Sequence, residues 1–538
     1  SSRAATLEQL RQSSNVEPDP SEPDIAALGP ASITVDQFTI TGNQEFDDNA
    51  LAEIAWAAVT NGELNGPPPD SFELSRSDLI RASDAITQHY LNENYISSGA
   101  YIPEEAWANG IPEIRVLEGT IEAIEVDVQG PGFKLEPSYV ADRLALATRG
   151  ALNLDDLVEG VRLLEQDPLI ENITTEIEPG TENGTSILAV DVIQDDGFDI
   201  NLSTSNDNSP SVGSSGQEIS ISQANLIGIG DRIRLSYERT SGSDRWNFGY
   251  SLPLNARNGT LSFDVNTVDS RVVEEPFDVL GIESNTQTYE LSLRQPLILT
   301  PTEELTLSLT GYRRNSEGAF LEALLGEAQP FPSRGSDLQG RTRISALRFG
   351  QNWIKRQPKQ VVSLLSEFSL GLGVLDATIN PVPPDSRFFL WRGQGQWARR
   401  LGRDSLFLLS GNVQLADGPL VPSEQFGLGG ATTVRGYRPN SLLTDNGWRL
   451  SSEVRLPLLR IPEIEGLLQV APFFDIGGGW NNGDFPEPPQ SPISSTGLGV
   501  IWNMGEDFNA RLDWGIPLVS GDTLQDSGVL FRVNFSPF

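Results

Sequence analysis

The chain of 538 residues contains no cysteine and only one histidine. No disulfide can close in it, and no thiol can act as nucleophile or metal ligand. A chain of this size without thiols suits an oxidising compartment such as a bacterial periplasm or outer membrane, where a stray thiol is a liability. The lone histidine, His89, removes most Ser-His-Asp and Cys-His chemistry, because any such site would have to be built on it. It sits in "AITQHYL", three residues after Ile86 on an amphipathic pattern, and reads as a half-buried helix-face residue. Histidine metal centres need more than one such ligand as a rule, and no EF-hand loop is present. All-carboxylate Ca²⁺ sites stay open; otherwise no catalytic residue, metal or cofactor is expected, and the chain is not expected to be an enzyme. No apolar run reaches the length of a membrane-spanning helix. The start, "SSRAATLEQL", lacks a basic-then-apolar signal region, so for an exported protein a processed form is expected.

Basic charge is also scarce. Lys+Arg number 37 against 74 Asp+Glu, a net charge of −37. Residues 1–196 hold 37 acidic and 9 basic residues (−28), and residues 197–538 hold 37 and 28 (−9). So acidic a front disfavours nucleic acid as a partner.

The chain reads as five segments. Residues 1–14 are expected to hold a short helix of good helix formers, and 15–31 a Pro-, Asp-, Glu- and Ser-rich linker. A helix on a loose tether can be a plug or a latch, or simply a frayed terminus. The order β-α-α-β-β then occurs twice, over 32–119 and 120–196. The first copy has a strand at 33–43, "ITVDQFTITGN", helices at 47–59 and 75–95, and strands near "ISSGAYI" and "PEIRVLEG". Ser75 and Asp78 begin the second helix as a capping-box variant. The second copy runs from "IEAIEVDVQG" to "TSILAVDVIQD".

From about residue 197 the helical period gives way to segments of roughly ten alternating residues. "DRIRLSYER" places Ile233, Leu235 and Tyr237 on one face, and Arg232, Arg234 and Ser236 on the other. The polar face keeps carrying charged and amide side chains, and aromatics collect near segment ends. That is the pattern of a transmembrane antiparallel β-barrel with lipid outside and a wet interior, of ~16 strands at roughly 20 residues per strand and turn. A final strand is expected to finish on Phe538. Long loops are expected at about 313–340, 377–386, 416–447 and 481–491.

Within the 416–447 loop lies "TTVRGYRPN" (432–440), after "FGLGG" (426–430). Arg435 there has two fates: solvent, or an acid on the lumen wall if the loop folds inward. In "LQVAPFFDIGGGW", alternation turns Leu468, Val470, Phe474 and Ile476 to lipid, and Gln469, Phe473 and Asp475 to the lumen. Gly477–Gly479 leave room for a loop to approach. Gly436 allows a tight tip, and Tyr437 can pack on a strand.

"VRGY" (Val434, Arg435, Gly436, Tyr437) in a late loop, with "FDIGG" (474–478) on a later strand, resembles the signature of the outer-membrane barrel superfamily that carries POTRA domains. "FTITGN" (38–43), "NLIGIGDRIRLSY" (225–237) and "RLDWGIPL" (511–518) are similar to further family segments. Two POTRA-like units behind a short helix and linker resemble the two-partner secretion translocators (TpsB). The resemblance implies a 16-stranded, monomeric barrel in outer-membrane lipid, with its POTRA domains in the periplasm and an N-terminal helix that can plug the pore. It implies a VRGY tip packed inside against Asp475, with Phe474, Gly477 and Gly478 in support. It also implies a large secreted β-helical exoprotein as unfolded client, recognised through the POTRA domains. An assembly factor for outer-membrane proteins is the alternative within the superfamily. A passive porin needs no periplasmic repeats, and a barrel lipase would want a histidine among its strands.

Overall fold

The computed structural model describes residues 31–62, 71–519 and 528–537. The expected N-terminal helix and linker, most of the Gly/Pro loop at 61–70 and Phe538 lie outside the described residues. The chain divides into two compact units at Asp195/Asp196.

In the first copy of the repeat, Thr39–Thr41 pairs parallel to Glu113–Leu117, which pairs antiparallel to Gly99–Tyr101. Helices Asp48–Val59 and Arg76–Asn92 bury Leu51, Trp56, Leu79, Ile86 and Tyr90 in the same core as Ile114. The second copy has strand Thr120–Gln129, helices Pro137–Ala147 and Leu154–Leu164, and strands Ile170–Pro179 and Thr185–Gln194. Its first strand is again parallel to its last, which again occupies the centre of the sheet. The two copies thus share the topology of a three-stranded sheet with its last strand in the centre.

The strand expected at 33–43 is broken into Ser32–Val35 and Thr39–Thr41. Ile33 and Val35 are buried, and so are Phe38 and Ile40. Odd and even positions cannot both face one core along a continuous strand, so the chain turns between them. Ser32–Val35 pairs instead with Phe72–Ser75, a strand that alternation did not reveal. A one-turn helix, Glu104–Ala108, was also missed.

The capping box is formed. Ser75 N donates to Asp78 Oδ2 at 2.9 Å, and Asp78 N donates to Ser75 Oγ at 3.3 Å. The Ser75 hydroxyl and backbone bonds hold the Asp78 carboxyl below the usual carboxylate range. A depressed folded pKa gives stability that is complete above the ordinary value and is lost as pH falls through the lowered one. Ser75→Ala is expected to cost the helix about 1 kcal/mol and to flatten that acid limb. Hydrogen exchange of the Arg76–Asn92 amides against pH reads both effects.

The second unit is a closed antiparallel barrel of 16 strands, sealed by pairing of Val529–Phe535 with Phe198–Ser205. Large apolar side chains stand exposed on its outer face: Trp246 is 50% accessible, Leu291 52% and Trp514 55%. Such a continuous apolar exterior is stable only against lipid. Short turns at one end alternate with longer connections at the other, among them 272–282, 321–340, 417–445 and 481–492.

The loop expected at 313–340 begins later. The Glu303–Phe320 strand runs through it, with Arg313–Glu317 paired in register to Arg341–Ser345 of the Arg341–Gln357 strand. Beyond the lipid band both faces of this hairpin are wet, so the alternation that marks a strand disappears there. The last strand ends at Phe535.

Candidate functional site in the barrel lumen

The connection between strands Leu406–Ala416 and Asn446–Ile461 does not stand out in solvent. It forms a small hairpin, with Phe426–Leu428 against Leu442–Thr444. Leu428, Val434, Tyr437 and Leu442 of the loop cluster with Ile493 and are buried. Tyr437 Oη lies 3.0 Å from Ser494 O and 2.9 Å from Val519 O, and Val519 N donates to it at 3.2 Å.

Arg435, only 5% exposed, closes on three wall strands. Its Nε and Nη2 donate to Asp475 Oδ2 and Oδ1 at 2.7 and 2.8 Å, the bidentate fork. Its backbone N donates to Asp475 Oδ2 at 3.2 Å. Nη1 donates to Glu453 Oε2 at 2.8 Å and lies 3.7 Å from Asp513 Oδ1. The guanidinium also sits 3.4 Å over the centre of the Phe473 ring, a cation–π contact. Arg511 bridges the same acids, donating to Glu453 Oε2 and Asp513 Oδ2 at 2.6 Å each, and Arg455 Nε reaches Glu453 Oε1 at 2.9 Å. Three guanidiniums therefore bond to three carboxylates, and Arg449 lines the same cavity beside them. Desolvation of ions is offset only where pairing and hydrogen bonding are this complete.

Gly436 has φ +91°, and its missing Cβ would lie 2.8 Å from Gly515 O. A Cβ on Gly515 would in turn lie 2.6 Å from Gly436 N. Backbone therefore lies directly on backbone where the loop tip meets the wall, a contact only paired glycines permit. Gly477 faces the lumen with Leu428 of the loop packed on it. Gly478 has the opposite parity and lies beside Pro492. Phe474 is 42% exposed on the outer face, so it does not support Arg435; the aromatic beneath the guanidinium is Phe473.

A second charged node holds the root of the loop. The fully buried Glu424 accepts from Arg348 Nη2 at 3.1 Å and from Arg392 Nη2 at 3.4 Å. Gln414 Nε2 spans Glu424 O and Asp445 O at 2.9 and 3.0 Å. Asp445, also buried, accepts from Arg334 Nη2 at 3.3 Å and from Leu420 N at 2.9 Å. Glu424→Gln removes the charge that two enclosed guanidiniums share, at a cost of about 3–5 kcal/mol if the site stays dry. Limited proteolysis of intact cells is expected to cut within 417–445 in this variant and not in the parent, while the barrel keeps its heat-modifiable mobility.

Sequence reasoning missed Glu453, Arg511, Asp513 and the Glu424 node. Parity could have placed the first three inside: Glu453 alternates with Ser452 and Val454, and Arg511 and Asp513 flank the outward Leu512. Which strands stand side by side, and in what register, was not readable.

The family profile described as "Haemolysin secretion/activation protein ShlB/FhaC/HecB" matches residues 184–501, and "POTRA domain, ShlB-type" matches residues 33–119. "Outer membrane transporter CdiB" of Escherichia coli is 24% identical over 469 residues, 84% of this chain and 75% of that one. "Heme/hemopexin transporter protein HuxB" of Haemophilus influenzae is 22% identical over 425 residues, 77% and 72% of the two chains. The solved structure of CdiB from Escherichia coli superposes with TM-score 0.68 at 20% identity, covering 99% of this chain and 97% of that one. Members of the family are transporters and not enzymes. With the ShlB-type profile across most of the barrel, a POTRA domain before it and a lipid-facing exterior around a polar lumen, the chain belongs to the ShlB/FhaC/HecB family: it is an outer-membrane two-partner secretion translocator with its POTRA domains in the periplasm.

Proposed function

We propose that the client is one large secreted exoprotein, β-helical once outside, and that the two repeats at 32–119 and 120–196 capture it unfolded by strand addition. The observation that carries this reading is the edge strand Ile170–Pro179. It is ten residues long and pairs within its sheet only to Thr185–Gln194 among the described residues. A free edge offers backbone donors and acceptors to an extended segment without demanding a sequence. Glu171, Glu176 and Glu178 on this strand disfavour acidic segments and protect the edge from self-pairing. The barrel acts as a monomer, and client folding outside supplies the direction of transport. The inward loop, held by Arg435 on Asp475, keeps the pore competent.

Deletion of the gene, followed by proteomics of medium and outer membrane, tests the reading. One large protein is expected to vanish from the medium while other barrel proteins stay at their usual level. A joint fall of many barrel proteins would make the chain an assembly factor instead.

A further inference from the structure

The lumen wall has two chemically different halves. Around the inward loop the wall combines enclosed apolar side chains, Tyr312, Ile344, Leu390, Ala471 and Phe473, with the two charged nodes. The six strands from Phe198–Ser205 to Glu283–Leu299 differ. Five of their seven aromatics, Phe198, Trp246, Phe248, Phe263 and Tyr289, are exposed on the outer face, and Tyr237 and Tyr250 share that parity. Between Asp199 and Arg294, alternation leaves only polar residues, small Gly, Ala and Pro, and Val268 pointing inward.

Cross-strand register orders these polar groups further. Asn201, Ser220, Ser236, Asn247, Asn266 and Thr288 stand directly opposite one another, strand after strand. At adjacent-strand spacing this row is about 24 Å long. Asn247 Nδ2 donates to Ser236 Oγ at 3.0 Å, and Asn266 donates to Asn247. The neighbouring inward row mixes signs, with Asp199, Arg234, Asp264 and Glu290 in register. A cavity of about 730 Å³ opens on this wall.

We propose that this six-strand polar wall is the track along which an unfolded, extended polypeptide crosses the lumen, its backbone amides exchanging hydrogen bonds with the Asn/Ser/Thr row. The inference rests on the translocation reading above. A moving chain must lose its water without being trapped. Asn presents donors and acceptors together, and Ser and Thr hydroxyls rotate to serve as either, so each hydrogen bond to water is replaced by one of similar strength. Apolar walls would hold apolar client segments, and a row of one sign would hold segments of the other. The neutral row does neither, and the row beside it, three acids to one arginine, leaves only a small net negative charge on this wall.

The absence of native cysteine makes the test clean. Asn247→Cys and Asn266→Cys place a thiol on the track. Gln394→Cys places one on the other half of the lumen, where Gln394 shares the inward parity of Leu390 and Arg392. Cells carrying each variant are labelled with a maleimide bearing a bulky polyethylene glycol, and secretion of the protein lost in the deletion strain is measured. The unlabelled variants report folding, because labelling follows insertion, and Ser236→Cys replaces any variant that fails to insert. Labelling on the track is expected to cut secretion by about tenfold or more, and labelling at Gln394 by less than about twofold. If both halves block equally, or neither blocks, the track is overturned while translocation stands. If the deletion strain loses no secreted protein, the underlying translocation reading fails and the track falls with it.

Discussion

Arg435→Ala is expected to cut secretion into the medium at least about tenfold while the amount of correctly inserted barrel stays within about twofold. The asymmetry follows from where the bonds go. Glu453 and Asp513 keep Arg511 when Arg435 is lost, so the wall strands remain cross-linked. Asp475 keeps the Ser451 hydroxyl, at 2.6 Å, and the backbone N–H of residue 435, but loses the two guanidinium bonds of its bidentate partner while staying buried. The penalty therefore falls on the seated loop and not on the barrel. A loss of ~3–5 kcal/mol, at about 1.4 kcal/mol per factor of ten, moves the seated-to-unseated ratio by about 10² to 4 × 10³. Asp475→Asn, which keeps the shape and removes the charge, should share the phenotype. The double change Arg435→Ala with Asp475→Ala should be milder than the sum of the two singles, because no orphaned charge remains. Secretion assays beside heat-modifiable mobility of the barrel read both quantities. Undiminished secretion by an inserted Arg435→Ala barrel would remove the role assigned to this residue.

Gly515→Ala is expected to unseat the loop without altering a single loop residue. The added methyl would lie 2.6 Å from Gly436 N, 2.7 Å from Arg435 C and 2.9 Å from Arg435 O. All three are backbone atoms, so no rotamer change relieves the clash. The wall cannot withdraw either, because Gly515 is paired in register with Gly497. Overpacking of this kind costs about 1–3 kcal/mol, and Gly515→Val should cost more. Gly418, at the start of the same loop, has nothing within 4 Å of its absent Cβ, so Gly418→Ala is the matched control and should secrete normally. Protease cleavage within 417–445 on intact cells distinguishes an unseated loop from a misassembled barrel.

The barrel was legible because its code is short-range: alternation needs only neighbours along one strand, and lipid outside with water inside keeps it uniform. The same alternation turns Asp475 inward. It failed at Arg313–Glu317, where the strand outruns the lipid band and both faces are wet. It failed again at 33–43, where the buried parity changes within one apolar stretch. The full clamp was out of reach for another reason. Glu453, Asp475 and Asp513 lie on three different strands, and only register brings them to one guanidinium. The Glu424 node is more distant still, since Arg348 and Arg392 precede it by dozens of residues on strands that alternation identifies but does not place.

The two charged nodes grip different stretches of wall: Arg435 on strands near the C-terminus, and Glu424 on the strands that carry Arg348 and Arg392. A loop held at two separated points has intermediate positions between full insertion and full release. With one grip broken it pivots on the other and narrows the passage by a different amount. Electrical recording from single barrels should therefore show discrete conductance steps in place of one open level. Arg435→Ala and Glu424→Gln should each enrich a different step, and the double variant should populate the widest.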